Sequence, residues 1–202
     1  MIDAIKMSLG TLAELKVGYP FRGAIEPGKD GAIPVVQMKD VSVAGTIDWN
    51  AVVRARLPGR RSPDCLAAGD VLFVARGNHF YCIALEAVPE KSVCGPHLCH
   101  LRVLTGAAVL PAFLAWHINQ PPTQRLLRQA AEGTNQLSIR RAELEALPIS
   151  VPSLAVQQQI VLLADAVARE RTVLRELVRN RERQLGALAH DLAHAAETAA
   201  TL

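Results

Sequence analysis

Apolar and polar positions change period several times along this chain. Over residues 4–16, Leu9, Leu12, Ala13 and Leu15 fall on one loosely helical face, which predicts a short helix or helical turn stopped by Gly18-Tyr19-Pro20-Phe21. From 32 to 104 the pattern becomes strand-like. Ile33–Met38, Ile47–Val53, Asp70–Ala75, Tyr81–Leu85 and His100–Leu104 are β-branched or alternating runs separated by Gly, Pro, Asp and Asn. Gly69-Asp70 ahead of Val71-Leu72-Phe73-Val74-Ala75 predicts a tight turn feeding a buried strand. Pro111–Asn119 and Pro122–Ala131 read as helices, each with Pro near its first turn, where the missing N–H costs least. Ser138 is the expected N-cap of a short helix over Ile139–Glu145, although Arg141 stands where a capping box needs Glu or Gln. Pro148 and Pro152 bracket an extended segment, because a residue before proline avoids the α region.

After Ser153, the expected N-cap of a last helix, the period becomes seven. Ile160, Val167, Leu174, Leu188 and Ala195 form one row, and Ala164, Val178, Leu185 and Leu192 a second beside it. Arg181 interrupts the first row and Arg171 the second. At a rise of about 1.5 Å per residue the helix is a rod of roughly 65–70 Å. The preceding 150 residues cannot cover such a seam. A partner helix is expected, and a second copy is the simplest supplier; the alternative is a helix folded back on itself, for which Gly186 offers a late break but no turn cluster occurs between 155 and 185. The expected division is a globular domain over 1–150 and a dimerisation helix over 151–202, with Ile160, Val167, Leu174, Val178, Leu185, Leu188 and Leu192 on the pairing face. The fold class is α+β: a mixed-sheet globular domain followed by one long C-terminal helix forming an intermolecular coiled coil.

Charge changes this picture only modestly. Residues 1–150 carry 16 Lys/Arg against 13 Asp/Glu, and the remainder is balanced, six against six. The small excess permits nucleic-acid binding without arguing for it, since clustering matters more than the total. Asp3 and Lys6 interrupt any secretory leader, and the apolar run Ala107–Ile118, broken by Pro111 and His117, is too short to cross a bilayer. Four cysteines at 65, 82, 94 and 99 then read as reduced, mostly buried thiols of a cytoplasmic protein.

Three segments could contact nucleic acid. Arg54, Arg56, Arg60 and Arg61 surround a Pro58-Gly59 turn, and Arg suits both phosphate oxygens and guanine edges. Arg76, Asn78 and His79 follow a buried strand and emerge at its end, with Phe80 and Tyr81 beside them. Thr134, Asn135 and Gln136 form a Gly-led polar loop able to meet phosphate or a base edge. The alternatives are, in turn, a solvated loop, a polar turn between strands, and a loop that caps the next helix. Cys94-Gly95-Pro96-His97-Leu98-Cys99-His100, with Cys82 upstream, is dense in soft ligands but lacks paired C-x2-C spacing. On a strand, His97 and Cys99 would share a face and His100 would not. Buried thiols are preferred there to a metal, and no cofactor is expected. No Gly-rich phosphate fingerprint, no Asn/Asp-Pro-Pro-Tyr/Phe stretch and no nucleophile setting is present, and Asp40, Asp48, Asp64 and Asp70 sit in turn contexts. The chain reads as a non-enzyme.

The order of these signals resembles the specificity (S) subunit of type I restriction–modification systems. Leu9-Gly10-x-Leu12-Ala13-Glu14 with Gly18-Tyr19-Pro20-Phe21 looks like the start of one of its target recognition domains, and Leu66-x-x-Gly69-Asp70-Val71-Leu72 with Arg76-Gly77 like its central strand. Gly133-Thr134-x-Gln136-x-x-Ile139, Leu147-Pro148-Ile149 and Pro152-x-Leu154-x-x-Gln157-x-x-Ile160 look like the domain end and the entry to its conserved-region helix. Typical members carry two recognition domains and two long helices, whereas this chain has one of each and resembles a half-subunit. The resemblance implies two copies with antiparallel helices, double-stranded DNA as ligand, an AdoMet-dependent DNA methyltransferase subunit as partner and, in restriction complexes, a motor subunit. A coiled-coil adaptor displaying protein-binding domains, or a zinc-dependent enzyme built on Cys94–His100, are the competing readings.

Overall fold

Four consecutive apolar residues, Val71 to Val74, are buried on both faces of their strand, so this segment needs cover above and below. A computed structural model describes residues 3–21, 23–28, 32–42, 45–58, 62–89, 91–133 and 136–199, with side chains described to 192. In chain order the elements are β1 (Ala4–Ser8), a helical turn α1 (Leu9–Leu12), β2 (Ala13–Val17), β3 (Ile33–Val36), a 3-10 turn (Met38–Asp40), β4 (Arg54–Ala55), β5 (Val71–Val74), β6 (Cys82–Ala84), β7 (Val93–Cys94), β8 (Leu98–Val103), α2 (Pro111–Ile118), α3 (Pro121–Ala130), α4 (Arg141–Glu145), β9 (Pro148–Pro152) and α5 (Leu154–Ala199).

The central sheet has the order β2-β8-β5-β6 and is antiparallel throughout. A three-stranded sheet, β4-β3-β7, joins β3 to β7 in parallel and to β4 antiparallel, and β1 pairs with β9. Alternation along β5 sends Val71 and Phe73 into the larger core, where Phe113, Leu114 and Ile118 of α2 and Leu127 of α3 cover them. Leu72 and Val74 enter a second core with Val36, Leu66, Ile83 and Leu98. The fold is therefore α+β with mixed sheets.

The outer edge of β6 is closed by one amide. Asn119, at the end of α2, accepts from the Cys82 N–H and donates to the Cys82 carbonyl, both at 2.8 Å, which blocks further strand addition at that point. Gln157 does the same for the start of α5. It is fully buried, accepts from Leu110 N–H and donates to the carbonyls of Ala108 and Pro152, each at 2.8 Å.

By internal contacts the chain divides into Met1–Val161 and Leu162–Leu202. In the first unit, Ile160 and Val161 pack on the larger core, so Ile160 of the predicted pairing row is partly covered by its own domain. In the second, Leu162, Leu163, Val173, Leu174, Leu177, Val178, Leu185, Leu188 and Leu192 are all exposed. Among the described residues no helix is long and apolar enough to cross a membrane.

Three expectations change. Residues 4–16 form two strands around one helical turn, not a helix; Leu9, Leu12, Ala13 and Leu15 are all buried as expected, but partners far along the chain, β9 and β8, decide their geometry. Residues 47–53 turn instead of extending. The Asp48 carboxylate accepts from Asn50 N–H at 3.1 Å and its carbonyl from Ala51 N–H at 3.0 Å, a local bond that overrides the alternating pattern. Ser138 is not a helix cap: α4 begins after Arg140, and Ser138 bridges to both Arg76 and Glu132 as a strand-like link.

Candidate nucleic-acid interface

Antiparallel pairing places the end of β5, the start of β8 and the end of β2 together, with Val74 opposite Leu98 and Val17 opposite Cys99. Whatever follows β5 therefore meets whatever precedes β8. Arg76 follows, and His97 precedes. The backbone fixes both: Ala75 N–H donates to the His97 carbonyl at 3.0 Å, Ile139 N–H to Ala75 at 3.0 Å and Gly77 N–H to Leu137 at 2.9 Å. The 136–139 segment is thereby stitched alongside, and Arg76, His97, Gln136, Ser138 and Arg141 line one cleft.

Local conformations at this end require particular residues. Gly133 has φ +115, and a Cβ there would lie 2.3 Å from the Gln136 carbonyl oxygen. Only glycine fits this turn. His97 has φ 70, the one non-glycine residue with positive φ among those described. It occupies the third position of a Gly95-Pro96-His97-Leu98 turn in which Leu98 N–H reaches the Gly95 carbonyl at 3.4 Å, where glycine or asparagine is usual.

Arg76 Nη1 lies 3.3 Å from His97 Nε2 and 3.5 Å from Nδ1, so it approaches the ring near Cε1, between the two nitrogens. Partial burial, then the neighbouring Arg76 charge, lowers the His97 pKa and favours the neutral ring. His97 also borders a second hollow that contains Lys39 and Gln37. Arg141 pairs with Glu145 at 2.7 Å, and Arg140 with Glu132.

The opposite end of the same sheet is closed off. Asp70, just before β5, faces Arg102 on β8. Arg102 donates from Nε to Oδ1 and from Nη2 to Oδ2, both at 2.8 Å, and Ala67 N–H donates to Oδ2 at 2.7 Å. His100 Nε2 lies 2.7 Å from Oδ2, an ion-pair distance off the hydrogen-bond direction, so neither ring nitrogen has an aligned partner. Burial alone would raise the Asp70 pKa; the Arg102 bonds, then His100 and the Ala67 amide, outweigh it and hold the carboxyl well below the usual range. Asp48 and Asp40 likewise bond to turn amides, and Asp64 binds Lys16 at 2.6 Å.

The predicted candidates thus separate. Arg76 and Gln136 share the cleft, and Asn78 and His79 are exposed in the turn after Arg76. Arg54 lies on β4, where it donates to the Ala32 carbonyl at 3.1 Å, and exposed Arg56 follows it; neither lines the cleft. Arg60, Arg61, Thr134 and Asn135 lie outside the described residues. His97 and Arg141 were not anticipated as contacts, although Gly-Pro before His97 signals a turn with a left-handed third position.

Among the described residues no group of three or more His, Cys, Asp or Glu could hold a metal. Burial pushes the Cys94 thiol up to about 12, Cys99 to about 11 and Cys82 well above its usual value, which keeps all three protonated near neutrality. Cys82 and Cys99 flank Phe73 from opposite strands, roughly two strand spacings or ~9.6 Å apart, beyond disulfide reach.

No family model matches the chain, and no curated protein matches it in sequence. Solved structures do match in fold. The type I restriction–modification S subunit from M. genitalium aligns with a TM-score of 0.55 at 18% identity, covering 82% of this chain and 39% of that one. The HsdS subunit from Thermoanaerobacter tengcongensis gives 0.60 at 16% identity, covering 86% and 39%. A chain from work on complex assembly and conformational transition of the type I R-M system gives 0.66 at 17% identity, covering 92% and 43%. The chain spans about two fifths of the length of these proteins, and over that span it has the fold of a type I specificity subunit.

Proposed function

We propose that this chain is a non-catalytic DNA sequence-specificity subunit that directs a type I-like DNA methyltransferase or restriction complex to a bipartite target. The observation that carries this reading is the grouping of Arg76, His97, Gln136 and Arg141 at one end of the central sheet, in a fold similar to that of S subunits. Guanidinium, imidazole and amide groups are the donors and acceptors that read base edges and phosphates. On this reading residues 1–150 contact double-stranded DNA, with Arg54, Arg56, Arg60, Arg61, Asn78, His79, Thr134 and Asn135 as further contacts. Residues 151–202 pair two copies through Val167, Leu174, Val178, Leu185, Leu188 and Leu192. The exposed apolar positions of α5 support a helical partner. Two-fold pairing makes the target a palindrome of two short half-sites around a spacer. The partners are an AdoMet-dependent methyltransferase subunit and, in a restriction complex, a motor subunit, all in the cytoplasm where the DNA is.

The test is affinity capture of the chain from its native cells. A stoichiometric AdoMet-dependent methyltransferase among the captured proteins supports the proposal, and methylation mapping then gives the target. Recovery of the chain alone, or of unrelated proteins, removes it. Leu185→Glu with Leu192→Glu should turn a dimer into a monomer in sedimentation, while leaving the melting of the 1–161 unit unchanged.

A further inference from the structure

We propose that Arg76 and His97 form a guanine-reading pair, in which Arg76 donates to O6 and N7 in the major groove and His97 is the positioning residue that presents it. The proposal rests on the DNA-reading function above and names the base and the residues involved.

Three observations converge on it. First, Arg76 is half-buried and its neighbours Ala75 and Gly77 are bonded on both sides. A phosphate contact needs only a flexible charge, whereas a base edge needs a donor fork held in place. Second, no carboxylate pairs with Arg76 among the described residues; its contact is the His97 imidazole, 3.3 Å away. A carboxylate would occupy the fork, and a neutral ring orients it while leaving donors for a ligand. The two-donor fork matches the two adjacent acceptors that guanine alone offers in the major groove. Third, His97 stands in a left-handed conformation that a glycine would adopt without strain. Its own carbonyl is tied to Ala75, so the side chain is held over the end of β5 at a conformational cost. Strain retained at an exposed residue beside a cation that meets no carboxylate among the described residues is better explained by use than by folding.

The imidazole does not by itself select a base. Its contribution acts through Arg76, so removing either residue should erase the same preference. Gln136 and Arg141 line the same cleft and are available for the flanking pair and the backbone.

The experiment uses the full chain and a duplex library with a randomised central segment, selected for binding and sequenced. The wild type should enrich a motif containing an invariant guanine. Arg76→Ala and His97→Gly should each lower discrimination at that one guanine by about ten-fold to a hundred-fold and leave other positions intact. His97→Asn, which tolerates the left-handed conformation and offers a carbonyl acceptor to Arg76, should restore part of it. Replacing that guanine by 7-deazaguanine, which lacks N7, should weaken the wild type and not Arg76→Ala. Thermal melting of His97→Gly at or above the wild-type temperature excludes misfolding. If both variants lose affinity evenly across all sequences, Arg76 is a phosphate contact and the inference is overturned while DNA binding stands. A wild type that enriches no motif overturns both.

Discussion

The two ends of the central sheet carry the same kinds of residue in opposite arrangements. At one end Arg102 and His100 meet Asp70, and the carboxylate takes two Arg102 bonds and a backbone amide. At the other, Arg76 meets His97 and, among the described residues, no acid. Burial explains the first: Asp70 and His100 are 1% and 2% exposed, and a charge taken out of water needs a partner or it does not stay charged. The second end is open to solvent, where an unpaired guanidinium costs little and keeps its donors. The locked end fastens β5 to β8, whereas at the open end the Arg76 donors stay accessible, and on the function proposed above they serve a ligand.

The largest way to break this contrast is at the locked end. Asp70→Asn removes the charge that compensates Arg102, and should cost about 3 kcal/mol in urea unfolding, the lower part of the range for broken buried pairs because Arg102 can rehydrate. An Asp70 pKa lowered on folding gives the sign of the acid response. Stability from this group is complete above its unfolded value of 3.8 and is lost as pH falls below that toward the folded value. The gap between acid melts of wild type and Asp70→Asn should begin to narrow as pH falls through 3.8 and go on narrowing toward the folded value; a constant gap would remove Asp70 from the acid response.

At the open end, Gly133→Ala introduces a Cβ against the Gln136 carbonyl at a φ that alanine avoids. It should cost roughly 1–3 kcal/mol and displace Gln136, with a matching loss of sequence preference in library selection. The smallest expected change in stability is the most diagnostic. His97→Asp tolerates positive φ and places a carboxylate beside Arg76, copying the Asp70 arrangement. Melting should shift by less than about 1 kcal/mol, as for an exposed ion pair, yet in low-salt anisotropy the preference for the guanine-containing duplex over its guanine-substituted counterpart should fall. An unchanged preference would mean that Arg76 does not read that base.

Much of this organisation is legible along the chain. Gly69-Asp70 before Val71–Val74, the prolines that open α2 and α3, and Pro148 and Pro152 around β9 are local signals, and local signals survive folding. The long helix α5 is likewise intrinsic, because it satisfies its backbone bonds internally and needs no sheet to define it; of its exposed leucines, Leu174, Leu185, Leu188 and Leu192 lie on the two seven-residue rows, whereas Leu162, Leu163 and Leu177 do not. Of the contact candidates, Arg76 and Gln136 were visible as polar residues following a buried strand and a glycine, respectively. That they line one cleft was not, since sixty positions separate them and only the bonds of Ala75 and Gly77 to Ile139 and Leu137 bring them together.

What the amino-acid order determined by itself was the class of element wherever hydrogen bonding is local: the turns, the Pro-led helices and the long amphipathic helix. Tertiary structure decided whatever depends on a distant partner. Residues 4–8 and 13–17 became strands because β9 and β8 offered edges for them. Ser138 is a bridge instead of a cap because its backbone pairs with Arg76 and Glu132. His97 left the metal-like cluster of Cys94 and Cys99 because a turn at Pro96 carried its ring out to Arg76 while the thiols stayed buried. The physical reason is common to all three. A β-strand satisfies its backbone groups outside itself, so its identity and its neighbours belong to the whole fold.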